Sequence, residues 1–146
     1  MRPDYPSRMR LLGVSALALG VLAAACGSDD GSAAAAPTGQ LTITVWPSGE
    51  HAGGARRSTL QCGPPGGTHP RAAKACARLA AVSNPFKPVP RDVMCTQIYG
   101  GPQVALVTGT YGGRRVNARF NRVNGCEISR WDRIAVVFPV TVGVNS

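Results

Sequence analysis

The stretch Val93-Met94-Cys95-Thr96-Gln97-Ile98-Tyr99, closed by Gly100-Gly101-Pro102, decides how this 146-residue chain is read. Cys62, Cys76, Cys95 and Cys126 lie beyond the cysteine near the start, Cys26, so Cys95 is expected to be half of a disulfide. A short segment pinned by a disulfide and ended by two glycines and a proline does not easily join a helix or a central strand. It is predicted to stand off the body as a stiff, extended, solvent-facing loop. A protease cleft accepts such a loop, because it pairs backbone to backbone like an added strand and loses little entropy in doing so.

The first residues are expected to lie outside the fold. Arg2, Arg8 and Arg10 make a basic start, and Leu11 to Ala25 is an apolar run ending in small residues. Residues 1–25 therefore read as an export signal, too short for a comfortable membrane span. Leu22-Ala23-Ala24-Ala25-Cys26 is similar to a bacterial lipoprotein processing site, which makes Cys26 the candidate lipidated residue. Such sites usually carry leucine three before the cysteine; here Ala23 stands there, with Leu22 one place off. The alternative is ordinary cleavage after Ala25, leaving Cys26 a free thiol. Residues 26–39, rich in glycine, serine and alanine, read as a flexible tether. About 107 residues, 40–146, remain for one domain with a modest core secured by two disulfides.

Charge and composition exclude several classes. The formal net charge is +9, and residues 1–25 hold three arginines against Asp4, so about +7 stays with the mature chain. Aromatic residues make up 5% of the chain and do not interleave with the cations, which argues against a nucleic-acid partner. The simpler reading is a basic solvent face. Export favours disulfides over a zinc site, and no Cys-x-x-Cys pair is present, so neither metal nor cofactor is expected. The domain's four cysteines allow three pairings, among which spacing alone does not choose.

Along the chain, Leu41-Thr42-Ile43-Thr44-Val45-Trp46 alternates as a half-buried strand, and Ser58 to Cys62 reads as a second. Pro70 in a first turn, with Thr68 or His69 as cap, predicts a helix whose buried face is Ala72, Ala75, Cys76, Leu79 and Val82. Ser83-Asn84-Pro85 ends it. Gln103–Thr110 and Arg114–Val123 read as a hairpin turned at Gly112-Gly113. In its second arm Val116, Ala118 and Phe120 point one way, and Arg115, Asn117, Arg119 and Asn121 point to water. Ile134–Phe138 reads as a final strand, with Pro139 at its end. The fold class is α+β, antiparallel strands packed against helix.

The residues now carry a resemblance. Leu60-Gln61-Cys62, Gly67-Thr68-His69-Pro70, Ala75-Cys76-Ala77-Arg78-Leu79-Ala80-Ala81-Val82, Asp92-Val93-Met94-Cys95, Tyr99, Gly113-Arg114-Arg115-Val116 and Val123-Asn124-Gly125-Cys126-Glu127 resemble the Streptomyces subtilisin inhibitor family of secreted serine-protease inhibitors. The resemblance runs from Leu41 to about Val140. It implies a five-stranded antiparallel sheet with two helices, and pairings Cys62–Cys76 and Cys95–Cys126, worth roughly 3 and 3.7 kcal/mol in the chain-entropy picture. It implies a reactive bond between Gln97 and Ile98, with Gln97 filling the protease's specificity pocket and Tyr99 one residue beyond Ile98. Met94 would offer a flexible apolar side chain to a further pocket. Cys95 would anchor the loop, and Asn124 would brace it from behind. Thr96 departs from the proline common there, although Cys-Thr-x-x-Tyr is also the loop pattern of the unrelated Kazal inhibitors. A subtilisin-like partner, a homodimer through sheet packing and an extracellular location complete what the resemblance implies. Any membrane association would come through the lipid alone.

An enzyme fits poorly. His51 and His69 are the only candidate general bases, and His69 reads as a capping or packing residue. Asp92 and Asp132 are single carboxylates expected to be ion-paired with arginines. No nucleophile elbow, phosphate loop or paired-carboxylate spacing appears. The second reading is a basic cell-surface binding module for anionic polymers or a partner protein, built on an inhibitor scaffold without inhibitory activity.

Overall fold

Strand β1, Gly39–Trp46, alternates Leu41, Ile43 and Val45 inward, and all three are buried. The computed structural model describes residues 35–139. The signal, Cys26 and most of the tether expected from the sequence lie outside them. β2 (Arg56–Cys62) pairs antiparallel with one edge of β1, with Ile43 opposite Ser58. β3 (Val104–Tyr111) takes the other edge, with Ile43 opposite Val107, and β4 (Arg114–Phe120) pairs with β3. The sheet is four-stranded, in the order β2-β1-β3-β4, and antiparallel throughout.

Two helices cover the inward face. Helix α1 (Ala72–Ala81) buries Ala75 and Leu79, with Ala72, Cys76 and Val82 packed beside them. Cys62 at the end of β2 is bonded to Cys76, which fixes α1 to the sheet edge. Helix α2 (Gly125–Arg133) buries Trp131 completely. The Trp131 ring lies 4.3 Å from that of Phe138, which lies 5.1 Å from Phe120 of β4. In β4, Val116, Ala118 and Phe120 are buried while Arg115, Asn117 and Arg119 face water. That strand stops at Phe120, three residues short of the sequence expectation.

The α+β class, the disulfide-bonded helix and the hairpin agree with the sequence, but Ile134–Phe138 is not a strand. Its centre, Ala135–Val137, is a 3₁₀ turn. Ile134, Val137 and Phe138 are the fully buried side chains, a spacing of three and four rather than two. Val137 N–H donates to Ile134 O and Phe138 N–H to Ala135 O, bonds internal to the turn. A short, wholly apolar run carries no period that separates strand from turn.

The cap of α1 also differs from expectation. Arg71 occupies the N-cap position without a side-chain bond. Thr68 instead pairs with Thr59, its Oγ1 accepting from Thr59 N–H at 2.9 Å. His69 is buried, and its Nδ1 accepts from Arg71 N–H at 3.1 Å. The proton therefore sits on Nε2, 3.0 Å from the Val137 carbonyl that accepts it. His69 thus joins the α1 entry to the C-terminal 3₁₀ turn.

Burial holds the His69 pKa below the ordinary 6.5; the Val137 bond opposes that shift and Arg71 adds to it. Protonation would also cost Nδ1 its role as acceptor. Below 6.5 the unfolded chain binds a proton that the folded chain refuses, so stability is full above that pH and falls as pH drops towards the folded value. The urea midpoint should hold steady from about pH 8 to 7 and decline through about pH 6 to 5, before carboxylates titrate. His69→Gln should remove that decline; an unchanged pH profile in the variant would refute the assignment.

Candidate functional site

Between Phe86 and β3 the chain carries Pro88, Pro90 and Pro102, none of which has an N–H for a ladder. Residues 94–101 accordingly take no helix or strand. Met94 is 98% exposed, Tyr99 67%, Ile98 57% and Val93 48%. With Val123, which lies close by in the β4–α2 turn, these are the exposed large apolar side chains of the described residues. Thr96 and Gln97 are exposed as well. Apolar surface normally scatters singly; here it gathers on one loop.

The first turn of α2 holds this loop from behind. Cys95 is bonded to Cys126, with the Cα atoms 5.4 Å apart. Thr96 O accepts from Gly125 N–H at 2.9 Å, one of the donors that a helix start leaves without an internal partner. The same carbonyl accepts from Ile98 N–H at 2.9 Å, which tightens the backbone over Gln97. The loop is therefore not uniformly extended, as the sequence had suggested. The Gln97 amide folds back, its Nε2 donating to Cys95 O at 3.2 Å.

Asn124 is the N-cap of α2, its side chain accepting from Glu127 N–H at 3.0 Å. The structure gives that side chain no bond to the loop. Asn124 fixes the helix start, and Gly125 and Cys126 make the recorded contacts with the loop. Asn124-x-x-Glu127 is a capping-box spacing that could have revealed this role.

Two arginines that sequence reasoning passed over complete the support. Arg122 donates from Nε to Gly100 O at 3.0 Å, and Gly100 N–H donates to Arg122 O at 2.8 Å. Arg122 Nη1 reaches Asp132 at 2.8 Å, so Asp132 is ion-paired as expected. Asp92 has no ion pair among the described residues. Arg130, nearly buried, donates to Lys87 O at 2.8 Å and Arg119 O at 2.7 Å, pairs with Glu127 at 3.1 Å and lies over the Phe120 ring. It therefore steadies the segment leading into the loop. The i,i+3 pair Glu127–Arg130 is a local pattern, but the backbone carbonyls that the two arginines hold lie 11 to 43 residues away and leave no local mark.

Other chemistry is sparse. Both His69 nitrogens are committed to backbone groups, and His51 lies exposed in the β1–β2 connection. Glu50 beside it pairs with Arg119, whose side-chain hydrogen bond holds the carboxyl below its ordinary range. Among the described residues no three His, Cys, Asp or Glu side chains converge as metal ligands, and no helix is long and apolar enough to cross a membrane.

A family model described as subtilisin inhibitor-like matches residues 22–124. The chain belongs to the subtilisin inhibitor-like family. The match takes in the loop and Asn124 and stops short of Cys126. The subtilisin inhibitor of Streptomyces albogriseolus is 40% identical over 119 residues, covering 79% of this chain and 82% of that one. Protease inhibitor SIL-V1/SIL-V4 of Streptomyces netropsis is 37% identical over 102 residues, covering 67% and 90%. Among solved structures, Streptomyces caespitosus sermetstatin in complex with Bacillus licheniformis subtilisin matches 71% of this chain and 99% of that one, at a TM-score of 0.46 and 24% identity.

Within this inhibitor-like domain the approach of Thr96 to Gly125 is testable. A Cβ on Gly125 would fall on Thr96 Oγ1, while Thr96 Cβ would lie 3.4 Å away, an ordinary contact. Gly125→Ala should therefore lower stability by about 1–3 kcal/mol in the natural background. In a Thr96→Ala background it should cost nothing, since alanine suits the helix. Denaturant unfolding of the four chains gives the coupling, and strict additivity would disprove the contact.

Proposed function

We propose that this chain inhibits subtilisin-like serine proteases by presenting residues 94–99 as a substrate-like segment whose reactive bond is Gln97–Ile98. The observation that carries the reading is the gathering of exposed apolar side chains on a loop tied through Cys95, Thr96 and Gly100 to α2 and to the turn before it. Family membership supports an inhibitory role over a catalytic one. Gln97 enters the specificity pocket once its amide leaves Cys95 O, and Ile98 and Tyr99 lie across the bond. Met94 fills an apolar pocket on the other side.

Inhibition in place of digestion follows from stiffness. Catalysis requires the transition state to be stabilised beyond the bound ground state. A loop held in one shape binds well and resists the distortion that acylation needs. When the bond does break, Gln97 becomes the acyl group on the protease serine and Ile98 a free amine. Tied ends keep that amine at high effective concentration, so it attacks the acyl carbon, reforms the peptide and returns the serine hydroxyl.

The proposal includes placement outside the cell through a lipid on Cys26, supported by the small-residue run before a cysteine that is left over from the domain's two disulfides. Cys26→Ser should release the domain into the medium. Recovery of soluble wild type starting at another residue would rule the anchor out. A homodimer, which the family resemblance implies, would use the outer sheet face, where Thr59, Thr42, Thr108 and Asn117 form one cross-strand row.

Titration of subtilisin and of trypsin with the purified chain tests inhibition directly. Subtilisin should be blocked at one to one and trypsin poorly. The trypsin pocket holds a carboxylate, which a neutral Gln97 amide would leave unpaired. Gln97→Lys should gain trypsin inhibition and keep most subtilisin inhibition. Met94→Ala should lose about 1.5–3 kcal/mol of subtilisin binding. Gln97→Pro should abolish both, because its ring fixes the backbone beside the reactive bond. Equal inhibition by wild type and Gln97→Pro would place the contact elsewhere.

A further inference from the structure

The two sides of the proposed reactive bond are held unequally. Before the bond, the Cys95–Cys126 disulfide and the Gly125 N–H to Thr96 O bond secure the two residues preceding Gln97. Beyond the bond there is no disulfide. The Ile98 N–H that donates to Thr96 O belongs to the very peptide that would be cut. The next tie to the body is at Gly100, and Arg122 makes it.

Arg122 meets Gly100 with both backbone and side chain. Gly100 N–H donates to Arg122 O at 2.8 Å, and Arg122 Nε donates to Gly100 O at 3.0 Å. The guanidinium is itself fixed, with Nη1 on Asp132 at 2.8 Å and its carbon 5.8 Å from the centre of the buried Trp131 ring. Its side chain is 15% exposed, so little water competes for the Gly100 carbonyl. The approach is close on every side. A Cβ on Gly100 would meet Ile128 of α2 at 2.8 Å and Arg122 Cβ at 3.3 Å.

We propose that Arg122 is the positioning residue that keeps the leaving end of the loop, Ile98 to Gly100, seated after the Gln97–Ile98 bond is cut. The inference rests on the reading of that bond as the reactive one. With Gly100 held, the Ile98 amine stays beside the acyl carbon and reforms the peptide, returning the hydroxyl to the protease serine. With Gly100 released, water attacks instead, leaving a carboxylate on Gln97 and a permanently cut chain. Arg122 thereby separates a lasting inhibitor from a slow substrate without touching the protease.

The test follows an equimolar mixture of the full chain and subtilisin over hours, reading residual activity and intact mass together. Wild type should inhibit persistently. Arg122→Ala should inhibit at first and then lose inhibition, with cutting at 97–98 faster by on the order of ten- to a hundredfold, the scale of one charge-assisted hydrogen bond. Arg122→Lys guards against misfolding: its stem still covers Trp131 and its ammonium can meet Asp132, but it offers no Nε to Gly100. It should still unfold in one cooperative transition, at most several degrees below the wild type, and still be cut faster. Inhibition by the lysine variant that lasts as long as the wild type's, with no faster cutting, would overturn the proposal. If wild type fails to inhibit, or is cut at another bond, the loop reading fails separately. Amide hydrogen exchange at Gly100 in the free chain then judges the clamp: faster exchange in both variants supports it, and an unchanged rate overturns it.

Discussion

The hydrogen bond from Gly125 N–H to Thr96 O is the constraint around which the molecule is arranged. A helix start leaves N–H groups without internal partners, and each needs an acceptor or water. In α2, Asn124 satisfies Glu127 N–H, and the loop carbonyl satisfies Gly125 N–H. The loop therefore completes the helix as much as the helix holds the loop. Cys126 one residue further makes the same connection covalent. Moving either partner would leave the other unsatisfied, so the exposed segment inherits the rigidity of a helix anchored by a fully buried tryptophan.

That rigidity comes from polar ties, because the segment has almost nothing to bury. Met94, Ile98 and Tyr99 project into water and contribute no core. Holding each residue in one backbone state costs about 1–2 kcal/mol of entropy, which must be offset by contacts behind the loop. Arg130 and Arg122 supply two of them, one on the way in and one on the way out. A guanidinium taken from water is costly unless its donors are met, and here carbonyls and carboxylates meet them. The basic balance of the chain thus has a structural share in addition to its solvent face.

What could be read from the sequence divides along physical lines. β1, β2, the hairpin and α1 carry their own periods, so Leu41, Ile43 and Val45, or Ala75 and Leu79, announce their burial locally. The loop is legible because Gly100-Gly101-Pro102 disfavours regular structure there. Ile134–Phe138 was misread because five apolar residues fit either a strand or a turn. The cap of α1 was misplaced because Thr68 had a better partner across the turn in Thr59. Arg122, Arg130 and the Thr96–Gly125 contact were invisible. They join positions far apart in sequence, and an arginine signals nothing about which carbonyl it will meet.

The division of labour between loop and scaffold follows from these contacts. Side chains at 94, 98 and 99 point outward and that at 97 is exposed against the loop's own backbone, whereas the Cys95 disulfide and the backbone at 96 and 100 reach inward to Cys126, Gly125 and Arg122. Outward side chains set what a cleft would recognise, and inward backbone groups set how firmly the segment keeps its shape. The two sets share almost no atoms: apart from the Cys95 sulfur, the inward ties are carbonyls and amides common to nearly every residue type. Recognition at 94 or 97 can therefore change with little effect on the fold, as surface substitutions away from special contacts usually do. Gly125 and Gly100 have no such freedom, because any side chain there would occupy the space through which the loop meets its support. On the proposed function, specificity and stiffness are set by different residues of the same short loop.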